Sequence, residues 1–173
     1  SYTEGLGIKP TSEVLHSLID IVSKNGCMLL NISPKADGTI PEDQRKVLLD
    51  IGRWLKVNGE AIYDTRPWTR FGEGPTRLKK GGHFIKEVTY SAKDIRYTRS
   101  KDDLTLFAIT LGVPISESTI ILRSVHSRVK NVTLLGSDQK LEWQPSKEGL
   151  QITMPKQTPN DMALVFRIKK SFE

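Results

Sequence analysis

An α/β unit of helix, strand and helix, followed by an all-β antiparallel sandwich, is the fold this sequence predicts. Three observations predict it. Apolar residues recur at helical spacing over two stretches before Trp68, with one short continuous apolar run between them. From His83 onward the pattern changes to short alternating runs divided by turn residues. Between the two patterns lies a stretch rich in backbone breakers, with Gly72, Gly74, Pro75, Gly81 and Gly82. The expected organisation is an α/β part over 1–68, a linker over 69–82 and a sandwich over 83–173.

The first helix is expected to start at Thr11 or Ser12, either of which can cap it, with Glu13 in the first turn where the helix dipole favours an anion. Val14, Leu15, Leu18, Ile19, Ile21 and Val22 form a broad apolar stripe at helical spacing. Lys24-Asn25-Gly26 is a stop signal, with the glycine expected in the left-handed cap. The run from Cys27 to Ile32 follows at once and fits a strand buried on both faces, as in a parallel sheet. Cys27 is expected to be a small core residue rather than a nucleophile.

The segment from Ser33 to Thr39 is turn-rich, and Pro41 suits the first turn of a second helix, with Glu42 and Asp43 behind it. Val47, Leu48, Ile51, Trp54 and Leu55 share one face of that helix, and Asn58-Gly59 ends it. One such unit is not a stable sheet, so something upstream is expected to complete it. Strands in the second half are expected over 83–89, 94–98, 104–111, 119–122, 129–135, 141–144, 150–154 and 163–169. Their regular spacing suggests a sandwich.

The chain has 173 residues, of which 37% are hydrophobic and 27% charged, an ordinary globular composition. No apolar run approaches the ~20 residues of a membrane span, so no membrane partner is expected. The net charge of +6 is scattered, and no recognition-helix pattern accompanies it, so nucleic acid ranks last among partners. A single cysteine excludes an internal disulfide. His16, His83 and His126 lack metal-ligand spacing, and neither a metal nor a cofactor is expected. The opening residues carry no visible signal peptide and no Met, which suggests a fragment or a processed chain.

The stretch Leu18-Ile19-Asp20-Ile21-Val22-Ser23-Lys24-Asn25-Gly26, then Leu29-Leu30-Asn31-Ile32-Ser33-Pro34 and Asp37-Gly38-Thr39-Ile40-Pro41, resembles the end of the catalytic barrel of α-L-fucosidases. Gly52-Arg53-Trp54-Leu55, Asn58-Gly59-Glu60-Ala61-Ile62-Tyr63 and Thr65-Arg66-Pro67-Trp68 continue the resemblance. It extends through Tyr90-Ser91-Ala92-Lys93-Asp94-Ile95-Arg96-Tyr97-Thr98 and Ala108-Ile109-Thr110-Leu111-Gly112, and ends in Val132-Thr133-Leu134-Leu135-Gly136. Cys27 stands where the family often has Asn, and Ser33 where it has Gly; both positions look structural.

The resemblance implies that the α/β part is the remnant of a (β/α) barrel, with the sandwich behind it. It implies a retaining hydrolase of α-L-fucosyl linkages, which needs two carboxyl groups about 5 Å apart. Both would lie upstream of Ser1, so no catalytic residue is expected in this chain, and the chain alone is expected to be inactive. Asp37 reads as a turn residue, Glu42 and Asp43 as helix-start residues, and Glu60, Asp64 and Glu73 lie beyond the last helix. Tyr2 lies near where the resemblance places an aromatic packed against the fucose ring, with a disordered terminal tyrosine as the competing reading.

The implied partners are a fucosylated glycan and the missing N-terminal barrel portion. Bare strand edges recruit other chains, so either a homo-oligomer or a complementary N-terminal chain is expected. A secreted, periplasmic or lysosomal location is implied in the same way. A non-enzymatic sandwich that binds carbohydrate or a partner chain is the competing function. Trp54 is expected in the core and Trp68 in packing between the two parts. Trp143 is expected to point inward, although a surface tryptophan there would suit a glycan. Asn131-Val132-Thr133 fits a glycosylation triplet inside an expected strand.

Overall fold

The computed structural model describes residues 5, 7–76 and 88–171. Helices α1 (Thr11–Ser23) and α2 (Glu42–Asn58) come first, and a 3-10 turn, Gly59–Ala61, continues α2. Among the described residues eight strands follow: β1 (Arg66–Glu73), β2 (Ile95–Arg99), β3 (Thr105–Thr110), β4 (Thr119–Leu122), β5 (Val129–Leu134), β6 (Trp143–Ser146), β7 (Gly149–Thr153) and β8 (Leu164–Lys170). They form a five-stranded sheet in the order β1-β2-β3-β8-β5 and a three-stranded sheet in the order β4-β7-β6. The six pairings that join them are antiparallel.

The five-stranded sheet is covered on both faces, and its central strands show why. Successive side chains of a strand point to opposite faces. Leu106 and Ala108 of β3, with Leu164, Phe166 and Ile168 of β8, join a core shared with Leu122, Leu150 and Ile152 of the smaller sheet. Phe107 and Ile109, with Val165, join a second core with Leu15 and Ile19 of α1 and Trp54 of α2. All six residues of β3 are buried. The helices therefore pack on the sandwich itself. Trp54 adds a directional tie, since its indole Nε1–H donates to the Ala163 carbonyl at 2.9 Å.

A buried ion pair fixes α1 against β2. Arg96 Nε donates to Asp20 Oδ1 at 2.6 Å, and Lys24 Nζ lies 2.7 Å from Oδ2 of the same carboxylate. The Arg96 guanidinium lies 5.1 Å from the Tyr90 ring centroid and 5.7 Å from that of Phe71. Removing one partner of such a buried pair strands a charge, at a cost of about 3–5 kcal/mol.

Asp94 is a second buried anchor. Its carboxylate accepts from Thr76 N at 2.9 Å, Thr76 Oγ1 at 2.8 Å, and Ser91 N and Oγ, both at 2.9 Å. Gly74 makes room for it: at φ +135 a Cβ there would stand 2.5 Å from Asp94 Oδ1. Burial pushes the Asp94 carboxyl toward its neutral form, but the donors from Ser91 and Thr76 prevail and hold it below the usual carboxylate range.

Several details differ from the sequence expectation. Pro10 and Pro41 occupy the residue before each helix, and neither helix has a side-chain cap. Thr11 Oγ1 instead donates to Asp50 Oδ2 at 3.3 Å, tying α1 to α2. At the end of α1 it is Asn25, at φ 65, that takes the left-handed turn. Gly26 N then reaches back to Ile21 O at 2.9 Å and Asn25 N to Val22 O at 3.0 Å, closing the helix end.

The strand expected from Cys27 to Ile32 is absent: these residues have no ladder partner among the described residues. Cys27, expected in the core, is exposed. A strand needs a neighbour to satisfy its backbone, and the described residues supply none beside it. The expected linker 69–82 starts within β1, whose residues pair with β2, and 77–82 lie outside the described residues. The strand expected over 83–89 falls mostly outside them too. Trp68 packs with the sandwich core, its ring edge-on to Tyr97 at 5.0 Å between centroids.

Two outcomes follow from this packing. Phe107→Ala should cost about 3–5 kcal/mol in urea denaturation, as for a buried aromatic, whereas a loss under about 1 kcal/mol would contradict burial of β3 on its helix side. The second concerns pH. The folded-state carboxyl of Asp94 is depressed, so its contribution is present above the unfolded value and is lost as pH falls through the folded one. The stability gap between the protein and Asp94→Asn should be full at neutral pH and shrink below about pH 4, where unfolded aspartates protonate. A gap that stays constant into strong acid would contradict the bonded carboxylate.

Candidate functional site

Among the described residues, an apolar face without a partner lies where α1, α2 and the segment between them meet. Leu29 is 86% exposed, Leu30 42%, Ile32 37% and Ile40 39%. Ile8, Val14, Leu30, Ile32, Val47 and Leu48 line a groove of about 280 Å³. Val47 and Leu48 sit on the expected apolar face of α2 but stay only half-buried. Apolar residues gathered on one side of a fold mark a contact surface rather than scatter.

Polar groups hold the groove's wall in place. Gln44, buried at the start of α2, accepts from Ser33 N at 2.8 Å through Oε1 and donates to Ser33 O at 3.4 Å through Nε2. It therefore satisfies both backbone groups of Ser33, as a ladder neighbour would. Beyond it the loop closes on itself, with Lys35 N bonded to Thr39 O at 2.8 Å and Gly38 N to Lys35 O at 3.0 Å. The residues from Leu30 to Ser33 thus run along the groove, and the turn stands at its end.

The carboxylates weighed in the sequence all have structural partners. Asp37 Oδ1 accepts from Thr39 N at 2.9 Å and Thr39 Oγ1 at 2.7 Å, which is the turn role expected of it. These bonds hold its carboxyl below the usual range. Asp43 accepts from Gln44 N at 2.8 Å, and Glu42 pairs with Arg45 at 3.4 Å. Glu60 meets Arg167 at 3.3 Å and Asp64 meets Lys101 at 2.5 Å. Glu73 accepts from Arg123 N at 2.8 Å, Ser124 N at 2.9 Å and Ser124 Oγ at 2.6 Å.

Glycoside cleavage asks for a carboxyl held protonated by its surroundings. Asp37, Asp50, Asp64, Asp94 and Asp102 move the other way, each held ionised, chiefly by hydrogen bonds and, for Asp94, against its burial. Among the described residues, no group of three His, Cys, Asp or Glu side chains could hold a metal ion. The geometry offers a docking face, and the described residues bring no acid pair together on it. Tyr2, the one substrate contact expected from the sequence, lies outside the described residues. The groove itself was not read from the sequence, although its apolar wall was.

Known proteins resemble the chain along most of its length. The model of the α-L-fucosidase family matches residues 1–60, and that of the α-L-fucosidase C-terminal domain matches residues 89–169. Plasma α-L-fucosidase of Rattus norvegicus is 32% identical over 152 residues, covering 87% of this chain and 30% of the relative. Tissue α-L-fucosidase of Homo sapiens is 30% identical over 156 residues, covering 90% and 30%. The crystal structure of Thermotoga maritima α-fucosidase in complex with fucose superposes with a TM-score of 0.76 at 30% identity, over 97% of this chain and 37% of that one. The chain thus spans about 30% of the length of the curated relatives it matches. Two models of one family, matched in order along the chain and joined by a shared fold, show that the chain belongs to the α-L-fucosidase family.

Proposed function

We propose that this chain is the C-terminal part of an enzyme that hydrolyses terminal α-L-fucosyl linkages of glycans with retention of configuration. The observation that carries the reading is the unpartnered apolar wall of Leu29, Leu30 and Ile32, within the span that the family model matches. In this reading the residues ahead of β1 close a catalytic barrel, and the two sheets from β1 onward form the sandwich behind it. The wall is the last barrel strand, waiting for its neighbours. Gln44 already occupies the hydrogen-bonding position of one of them at Ser33.

The chemistry then belongs to carboxyl groups upstream. A retaining hydrolase places a nucleophile and an acid/base about 5 Å apart across the scissile bond. Active sites of such barrels lie at the C-terminal ends of the strands, which here means the segment after Leu30. This chain would supply one wall of the pocket, with Tyr2 as a proposed contact to the sugar. The sandwich holds that wall in place through Phe107, Trp54 and the Arg96–Asp20 pair.

Incubated alone with an aryl α-L-fucoside, the chain should give only the background rate. Joined to the upstream portion of its own reading frame, it should turn the substrate over. Robust turnover by the chain alone, abolished by Asp37→Asn, would overturn the reading. In the joined protein, Leu29→Asp should lower activity about tenfold or more, because an unpaired buried carboxylate costs several kcal/mol and each 1.4 kcal/mol is tenfold. Activity unchanged by Leu29→Asp would show that the wall is not covered.

A further inference from the structure

We propose that Asn131 is an acceptor for an N-linked oligosaccharide, carried on the free margin of the sandwich. The triplet Asn131-Val132-Thr133 has the required hydroxyl residue two places on, and no proline between. Triplets of this kind are common, so the fold has to decide whether a glycan can be kept there.

Three structural facts decide it. Val132 and Leu134 of β5 are buried in the sandwich core, so strand alternation turns Asn131 and Thr133 to the opposite face. A shift of one residue would bury Asn131 and expel Val132, and the core excludes that shift. Among the described residues β5 pairs only with β8 and forms the margin of the five-stranded sheet, and Asn131 is exposed there, just after a register shift that follows Val129. Beside it lies a cleft of about 500 Å³ whose lining includes Thr133, Gln139, Lys140, Trp143 and Arg167. Arg167 Nε donates to Thr133 Oγ1 at 3.3 Å, which holds the wall of this cleft. The cleft offers amide, ammonium and guanidinium groups to sugar hydroxyls, with the half-buried Trp143 beside them. It gives the first sugars of a glycan on Asn131 a place to lie. The glycan would also cover an open sheet margin, where strands of other chains otherwise pair.

The donor would be an oligosaccharide linked to a lipid diphosphate, in a compartment that holds the transferase. Asn131 Nδ2 bonds to C1 of the first sugar as the C1–O bond to the diphosphate breaks. The lipid diphosphate leaves with the electron pair, and one amide proton passes to a base of the transferase. A second triplet, Asn31-Ile32-Ser33, lies on the wall that the proposed upstream portion would cover, so the inference is confined to Asn131.

The test is secretion of the protein from a eukaryotic cell line, followed by amidase deglycosylation in ¹⁸O-labelled water and peptide mass spectrometry. Conversion of Asn131 to a labelled aspartate is the expected result. Asn131→Gln and Thr133→Ala should each remove one glycan's mobility shift, while Thr133→Ser should keep it. Wild-type thermal unfolding of Asn131→Gln, an exposed position, checks that the fold is unchanged, and in the protein joined to its upstream portion the variant's fucoside hydrolysis should equal that of the parent. An unlabelled Asn131 in the secreted protein, or a shift that persists in Asn131→Gln, would overturn the inference. Either result leaves the fucosidase reading untouched, since that reading is decided by turnover.

Discussion

Burial of β3 on both faces is the constraint on which the rest of this structure depends. A strand at the surface of a sandwich needs apolar side chains on one face only. Here Leu106 and Ala108 fill the space between the two sheets, while Phe107 and Ile109 meet the helices. The helices and the sandwich therefore share a sheet, and neither can shift without opening a core. Packed interiors behave as jigsaws and transmit such constraints over their whole extent. Trp54, hydrogen-bonded to Ala163 just ahead of β8, sets where along the sheet α2 rests.

Electrostatics complete what packing begins. Asp20 lies on the same helix as Leu15 and Ile19, yet it is buried against Arg96 of β2 rather than solvated. A buried charge tolerates few alternatives, because every misplacement leaves it unpaired. Asp94 acts in the same sense on the backbone, gathering Thr76 and Ser91 onto one carboxylate. Together these two acids place α1, β1 and β2 relative to one another. The apolar wall from Leu29 to Ile32 follows directly from α1, so its position is inherited from these contacts.

Much of this was legible in the sequence, and what was not has physical reasons. β4 was placed at its observed bounds, and β3, β5, β7 and β8 within a residue or two, because alternating side chains and turn residues report on burial locally. The second half of β1 reads as linker because Gly72, with Gly74 and Pro75 just after it, looks like a breaker, and Pro67 stands near its start. Pro67 and Gly72 both suit a strand at the sheet margin, where a missing N–H and a bulge are tolerated. β6, another margin strand, holds Pro145 and was placed two residues early, since Leu141 is buried without belonging to it. The run from Cys27 to Ile32 has the composition of a buried strand, but composition cannot supply the neighbour that makes it one. The same holds for the candidate site: its apolar residues could be read, while the groove depends on how two helices cross.

Hydrogen exchange across residues 29–32 tests most directly the claim that this wall is the unpaired strand of a barrel. In the chain alone, the amides of Leu29, Leu30 and Ile32 should exchange at nearly unprotected rates, because no ladder bond holds them. In the protein that carries the upstream portion, the same amides should exchange orders of magnitude more slowly. Equal exchange in the two proteins, whether fast or slow, would contradict the account.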